Sequence, residues 1–477
     1  MSRVHREAQL IALAAAVAGL WLLPIASSVW VDEAGSWWVI RDGLSPTIER
    51  SIDATGQSPL YYVMLWAWTS ATGTSEVAMR ALSLAGVGVS AFLLWRLGRK
   101  LLGPDAALPA AIAFASLGGF GSVAFSAADA RPYGIGLAFV VGSTLALVRW
   151  VDAPRARTAA LYALLLLGAI YMVYTYAIIA LGHAIFVLVR ARRQALPVRQ
   201  VAITVATIGL ALIPAVLHLV EILNRPNIFE SVPFSFSARR LFPFGLLVGA
   251  AIIGLAFTHA PQRVRVPRAQ PGTGALLAGW TVLPLVVLAV LALAVAPKFF
   301  YARYYLAAMP GLALLAGWML ASLAQARARA AAAIALAVLT LVAYADPQHT
   351  REDWRAAAAQ VEESGPGTLV LLRSGFAGSK PDRLADPQVI GLVRSPLDYY
   401  GVAGDIELLP FRLDVGARAY ADALLDRRIG ARNTVAFVTR APFLDAEAWL
   451  TERLHREGFG SRTVLDGDVR VVIYRRS

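Results

Sequence analysis

The 477-residue sequence contains no cysteine, which excludes a disulfide framework, a thiolate metal site and a cysteine nucleophile. It is also poor in charge: 16% of residues are Asp, Glu, Lys or Arg, and only 31 of these are acidic. A soluble domain carries about a quarter charged residues, so an ordinary water-exposed globule is excluded. There is no internal repeat, no low-complexity tract and no nucleotide-binding glycine motif, and Gly365-Pro366-Gly367 reads as a turn. What is present points to the bilayer, since 58% of residues are hydrophobic and the mean hydropathy is +0.59. The formal charge of +13 would suggest nucleic acid in a soluble chain. Here Arg and Lys fall in short runs between apolar stretches, so they are topology signals, and no nucleic-acid partner is expected.

A helix needs about 20 apolar residues to cross the hydrocarbon, and that ruler finds about eleven candidates, starting near Leu10, Ala78, Ala106, Tyr133, Ala159, Tyr176, Gln200, Phe244, Ala275, Tyr304 and Ala330. Leu10 to Trp30 follows Arg3 and Arg6 as a signal peptide would, but it is long and ends on Val29-Trp30-Val31, a poor cleavage site. It is read as a retained first span. Loops holding Arg96, Arg99 and Lys100, Arg155 and Arg157, Arg190 to Arg193, Arg263 and Arg265, and Arg327 and Arg329 collect the positive charge. The positive-inside rule puts them, with the N-terminus, in the cytoplasm.

The opposite side then receives Val31 to Val77, the turns around Asp129 and Tyr174, the loop Glu221 to Pro243, the turn Pro297 to Arg303 and everything after Tyr344. Residues 59–73 are apolar and rich in Trp and Tyr but short for a crossing, and counting them as a span would invert the charge pattern downstream. They read as an interfacial helix. From about Gln348 the composition changes. Thr368–Leu372, Val435–Val438 and Val469–Tyr474 read as strands, and Asp353–Glu363, Ala417–Arg428 and Asp445–Arg456 as amphipathic helices. The expected architecture is a polytopic α-helical membrane domain over 1–347, its first outer loop at 31–77, followed by a small extracytoplasmic α/β domain over 348–477.

With acidic residues this scarce, those at the outer surface carry information. Asp32-Glu33 leaves the first span, Gln57-Ser58-Pro59-Leu60-Tyr61-Tyr62 opens the interfacial helix, and Asp129-Ala130-Arg131-Pro132-Tyr133 closes the third span. A single carboxylate there is ordinarily a solvated helix end; three polar sites on one side weigh against that. Lys298 and Arg303, set among Tyr301, Tyr304 and Tyr305, offer cations suited to an anionic headgroup, the plain alternative being an aromatic belt with basic anchors. His183 and His218 fall within spans and read as hydrogen-bonded packing residues, and Tyr171, Tyr174 and Tyr176 as interfacial anchors.

In this order the motifs resemble the GT-C superfamily of membrane glycosyltransferases, specifically bacterial members of the family that includes protein O-mannosyltransferases and the lipid A aminoarabinose transferase (glycosyltransferase family 39-like). In that family the first outer loop starts with an Asp-Glu pair, matched by Asp32-Glu33. A His-Pro-Pro-Leu-Tyr-Tyr motif follows, whose second half matches Pro59-Leu60-Tyr61-Tyr62. An acidic-x-Arg-x-Tyr element matches Asp129 to Tyr133, an Arg-Tyr-Leu element is echoed by Arg303 to Leu306, and an Asp-Trp-Arg element matches Asp353-Trp354-Arg355. Gln57 and Ser58 depart from the pattern, so a role given to that His is not transferred.

The resemblance implies transfer of a hexosyl or pentosyl group from a polyprenyl-phosphate carrier to a glycan, glycolipid or protein acceptor, with inversion, at the bacterial cytoplasmic membrane. Asp32 is the expected base and Glu33 its orienting partner. Arg131, Lys298 and Arg303 would hold the donor phosphate. Gln57, Tyr61, Tyr62, Asp129, Tyr133, Tyr301 and Tyr304 are candidate substrate contacts. Asp129 is read as pairing with Arg131, with a divalent cation as the alternative, because no multi-carboxylate cage is visible. The rival readings are a transporter or flippase for a lipid-linked sugar, which would show repeats and broken helices that the sequence lacks, and a non-catalytic envelope-assembly protein.

Overall fold

The computed structural model describes residues 3–53, 57–194, 196–224, 242–256, 269–294, 302–376, 380–430, 432–440 and 445–476. The chain begins with α1 (Arg3–Val17), which continues through a π turn and a 3-10 turn to Ala26. Then come α2 (Val31–Ile40), α3 (Leu44–Asp53) and α4 (Pro59–Thr72), then α5 (Glu76–Leu102), α6 (Pro104–Ala115) and the short α7 (Val123–Ala127). These are followed by α8 (Pro132–Asp152), α9 (Ala156–Met172), a 3-10 turn at Tyr174–Ile178, α10 (Ile179–Ala191), α11 (Val198–Ala211) and α12 (Ile213–Asn224). The remaining apolar helices are α13 (Phe242–Ala256), α14 (Thr273–Ala294), α15 (Met309–Ala321), preceded by a 3-10 turn at Ala302–Ala308, and α16 (Ala326–Tyr344).

Each of the eleven apolar stretches falls on one of these helices or pairs of helices. Among the described residues seven are long and apolar enough to cross a membrane, or eight with the bent pair α11–α12, and α6 and α9 are shorter. The 41° bend between α11 and α12 overturns the expectation that no helix is broken. Pro214, which has no N–H, cannot close a bond to the Leu210 carbonyl, and the Tyr171 hydroxyl donates to the Ala211 carbonyl at 2.7 Å. One carbonyl at the break is therefore satisfied by a side chain of the chain itself. Tyr174 sits beside it and bonds His218 Nδ1 at 2.8 Å. Tyr171 and Tyr174, read from the sequence as interfacial anchors, are each hydrogen-bonded within the bundle.

Two compact units make up the chain. The first contains the described residues of Met1–Ile25, Val77–Glu221 and Ser231–Pro347; the second contains those of Ala26–Glu76, Ile222–Glu230 and Gln348–Ser477. The first unit is a helical bundle whose core runs from Ala12 and Trp21 through Leu94, Ile112 and Leu145 to Trp280, Leu314 and Ala333. His183, 1% exposed, bonds Thr144 Oγ1 through Nε2 at 3.0 Å and lies 3.4 Å from the Tyr162 hydroxyl, which is the packing role expected of it.

The second unit joins α2, α3 and α4 to a three-layer α/β structure. Its elements are α17 (Trp354–Glu363), β1 (Leu369–Arg373), α18 (Pro387–Tyr399), β2 (Asp405–Leu408), α19 (Val415–Arg428), β3 (Thr434–Arg440), α20 (Asp445–His455), β4 (Phe459–Leu465) and β5 (Val469–Arg476). The sheet order is β2-β1-β3-β5-β4. β1 is parallel to β2 and β3, whereas β5 runs antiparallel to β3 and β4. Alternation sorts the side chains: Val370, Leu372, Ala436 and Val438 pack with α17 and α18, and Leu369, Leu371, Val435 and Phe437 with α19 and α20. α2 lies on α18, where Gly391 leaves room for the Trp38 indole and a Cβ would collide with it.

Candidate functional site

In the second unit, Asp32 and Glu33 occupy the first turn of α2. Two carboxylates there complement the partial positive charge of the helix N-terminus. Glu33 is fully buried, and its Oε2 accepts from the backbone N–H of Trp30 at 3.3 Å, so it caps the helix that carries it. Asp32 is partly exposed, and its carbonyl accepts from Ser36 Oγ at 3.2 Å. The same helix ends near Arg50, which donates to the Trp38 carbonyl and to Asp42 and lies over the Trp38 ring at 4.7 Å. Burial alone would raise the Asp42 carboxyl, but hydrogen bonds from Arg50 and Arg41 outweigh it and hold the group below its ordinary value.

Gln57, Tyr61 and Tyr62 come together at the start of α4. Ser58 caps that helix by accepting from Leu60 N–H, and Pro59 fills the first helical position, where its missing N–H costs nothing. The Tyr62 hydroxyl donates to Gln57 Oε1 at 3.2 Å, and the two tyrosine rings meet edge to face at 5.3 Å. Both rings are buried.

The segment leading into α2 is bound by the α/β domain residue after residue. Arg355 donates to the Ala26 carbonyl at 3.0 Å, Ser27 Oγ accepts from His349 N–H at 3.1 Å, and Ser28 Oγ accepts from Arg355 N–H at 3.1 Å. The Tyr400 hydroxyl accepts from Val29 N–H at 2.9 Å, and Glu352 Oε2 accepts from Val31 N–H at 3.0 Å. Tyr400 also donates to Glu76 Oε1, which Arg355 reaches at 2.7 Å. Burial pushes the Tyr400 phenol up to about 12, against the hydrogen bonds from Ser28 and Val29 that favour its ionised form. Glu352, His349 and Tyr400 were not singled out from the sequence. The Asp-Trp-Arg element was, and each part has work here: Asp353 caps α17 by accepting from Ala356 N–H, Trp354 is wholly buried, and Arg355 reaches Ala26 and Glu76.

In the first unit, Asp129 and Arg131 form a tight turn, with Arg131 N–H donating to the Asp129 carbonyl at 2.7 Å. Arg131 is the residue before α8 and Pro132 its first residue. Ser83 of α5 donates to the Arg131 carbonyl at 3.1 Å. Asp129 is 1% exposed and Arg131 and Tyr133 are each 7% exposed, so two ionisable side chains are held out of water at the end of a span. Arg80, one turn before Ser83, is also buried and donates to the Ile25 carbonyl at 3.0 Å, where it supports the end of the first span; nothing in the sequence pattern marks it. Arg303 and Tyr304 lie in the 3-10 turn before α15, the guanidinium 5.9 Å from the Tyr304 ring centre. Lys298 and Tyr301 lie outside the described residues.

The sequence profile of the dolichyl-phosphate-mannose-protein mannosyltransferases matches residues 56–218, a stretch that includes the Pro-Leu-Tyr-Tyr helix and the Asp129–Tyr133 turn but begins after Asp32. No curated protein matches the chain. Among solved structures, ArnT from Cupriavidus metallidurans bound to undecaprenyl phosphate shares 12% identity at a TM-score of 0.57, over 98% of this chain and 97% of that one. The same protein in the apo state shares 13% identity at a TM-score of 0.57 over the same fractions. Matched by the mannosyltransferase profile over part of its bundle and superposable on ArnT along nearly its whole length, the chain is a membrane protein with the fold of the GT-C glycosyltransferases.

Proposed function

We propose that this protein transfers a sugar from a polyprenyl-phosphate carrier to an acceptor hydroxyl on the extracytoplasmic side of a bacterial cytoplasmic membrane. The observation that carries the reading is the Asp129–Arg131 turn: a buried acid and a buried cation at the N-terminus of α8, inside the stretch matched by the mannosyltransferase profile. Burying such groups is expensive and is retained where an ion or headgroup is handled. The undecaprenyl phosphate of the ArnT structure supports a polyprenyl phosphate as the carrier.

In an inverting transfer the acceptor oxygen bonds to the anomeric carbon as the bond from that carbon to phosphate oxygen breaks. The acceptor proton goes to a base, and polyprenyl phosphate leaves as an anion. Asp32, the more exposed of the pair on α2, is the proposed base. Glu33 keeps the helix N-terminus in register for it. Arg131, Arg303 and Lys298 are the proposed cations for the leaving phosphate, with Asp129 orienting Arg131. The N-terminus is proposed to be cytoplasmic and the α/β domain extracytoplasmic, where glycan, glycolipid or protein acceptors are met.

The test is sugar transfer from a radiolabelled polyprenyl-phosphate donor pool by the purified wild type and Asp32→Asn. Loss of an essential general base lowers the rate about 100-fold or more. Equal transfer by the two proteins would remove Asp32 from the reaction, and passage of the labelled lipid across liposomes without transfer would favour a flippase.

A further inference from the structure

The α/β domain holds the helix that carries Asp32, and one buried carboxylate is central to the attachment. Glu352 is 4% exposed. Its Oε1 pairs with Arg440 at 2.7 Å, and its Oε2 accepts both from the Trp354 indole N–H at 3.0 Å and from Val31 N–H at 3.0 Å. Trp354 opens α17 and Arg440 ends β3, so two acceptor contacts fix the carboxylate within the domain. The third is directed at the first residue of α2. That N–H has no partner within its own helix, because the first four N–H groups of any helix lack one. The preceding N–H groups are taken in turn by Glu33 at Trp30 and by Tyr400 at Val29.

A buried carboxylate with fewer partners would be strongly unfavourable. Glu352 therefore favours the arrangement in which all three of its partners are engaged. We propose that Glu352 is a positioning residue: it fixes the N-terminal turn of α2, and with it Asp32, so that the α/β domain takes part in catalysis by orienting the base. The catalytic half of this statement rests on Asp32 being that base; the anchoring half does not.

Val31→Pro gives the most selective perturbation. Proline is favoured at the first position of a helix, and the extended conformation of Trp30, with φ −98° and ψ 170°, is the one a residue before proline prefers. The substitution removes the N–H that Glu352 accepts and leaves Glu352, Arg440 and Trp354 intact. Glu352→Ala removes the anchor itself, and Glu352→Gln removes the charge and keeps a single acceptor oxygen, which can face Trp354 and Val31 while the amide NH2 meets Arg440.

Each full-length variant would be examined in detergent by hydrogen exchange of peptides covering 28–40 and of peptides covering β1 and β3, together with transfer kinetics on the radiolabelled donor pool. A hydrogen bond to a charged group is worth about 10- to 100-fold in a local opening equilibrium. The expected result is faster exchange by that factor at the start of α2 in Val31→Pro and Glu352→Ala, a smaller change in Glu352→Gln, and unchanged exchange in β1 and β3. kcat should fall about tenfold or more in the same order, with KM for donor within about twofold.

Unchanged exchange at α2 in both Val31→Pro and Glu352→Ala would overturn the anchoring. Loosened exchange with unchanged kcat would overturn the positioning role. Asp32→Asn keeps the two readings apart: if it transfers normally while Val31→Pro loosens α2, the assignment of the base fails and the anchoring stands. If Glu352→Ala also raises exchange throughout the sheet, Val31→Pro decides alone.

Discussion

The contact between α5 and α8 sets the position of the Arg131 turn, and it depends on missing side chains on both helices, at Gly86 and at Gly134. A Cβ on Gly86 would stand 2.5 Å from Ile135 Cα, 2.8 Å from Ile135 N and 3.0 Å from the Gly134 carbonyl carbon. All three are backbone atoms, so no rotamer change relieves the overlap, and α8 must withdraw by about 1 Å for ordinary contact to be restored. Gly86→Ala should lose about 1–3 kcal/mol from overpacking, offset in part by about 1 kcal/mol of helix propensity.

Gly88→Ala measures that offset alone, because a Cβ on Gly88, two residues along α5, meets nothing within 4 Å. Purified in the same detergent, Gly86→Ala should melt several degrees below Gly88→Ala, which should melt at or above the wild type. Ile135 follows Arg131 by one turn, and Ser83, one turn before Gly86, bonds the Arg131 carbonyl. Undecaprenyl phosphate binding should therefore also weaken in Gly86→Ala and remain normal in Gly88→Ala. Melting temperatures within a degree of each other would refute the close-contact reasoning.

Arg303→Ala should weaken undecaprenyl phosphate binding while changing stability by less than about 1 kcal/mol; unchanged affinity in a titration of the purified protein would take Arg303 out of the site. Tyr400→Phe leaves Val29 N–H without its acceptor and should destabilise the second unit by about 1–2 kcal/mol, read as faster hydrogen exchange at 26–31. Because burial raises the phenol of Tyr400, like that of Tyr474, to about 12, the unfolded chain ionises first between pH about 10 and about 12. The stabilisation from these two phenols is thus complete below pH about 10 and declines as pH rises through that window. Tyr400→Phe should show a shallower alkaline decline in melting temperature than the wild type, and an identical decline would contradict the assignment to Tyr400.

The membrane bundle was legible because apolar runs of span length have few other uses, and all eleven stretches correspond to helices. What escaped was local. The break at Leu212 is produced by Pro214 together with a tyrosine 40 residues earlier, and only the proline is visible in a linear reading. In the α/β domain the strands buried on both faces, β1 and β3, read as continuous apolar runs, and β5 beside them read as a strand from its β-branched residues despite Arg470. β2 and β4 did not: they are the edges of the sheet, β2 is four residues with two acids, and most of β4 is exposed. An edge strand buries too little to impose a hydrophobic pattern. α18, with proline at its start and again at Pro396, resembles a loop by composition, although Asp386 caps it by accepting from Gln388 N–H.

The candidate site divides along the same line. Asp32, Glu33, Asp129 and Arg131 were singled out because charge next to an apolar span is rare enough to be informative. Rarity says where a charged group stands and nothing about what holds it. Glu33 serves as the cap of its own helix, a role visible in hindsight from its position three residues after Trp30. Glu352 could not have been recognised in this way. It precedes Asp353, which reads as an ordinary helix cap and is one, and its partners Val31 and Arg440 lie 321 residues before it and in another strand. Its acceptor work is directed at a backbone N–H, a group every residue but proline possesses, so no residue type at position 31 could have signalled it. The residues that orient a scarce charge are therefore to be sought among the polar groups that bond to backbone, as Glu352 does at Val31 N–H and Tyr400 at Val29 N–H.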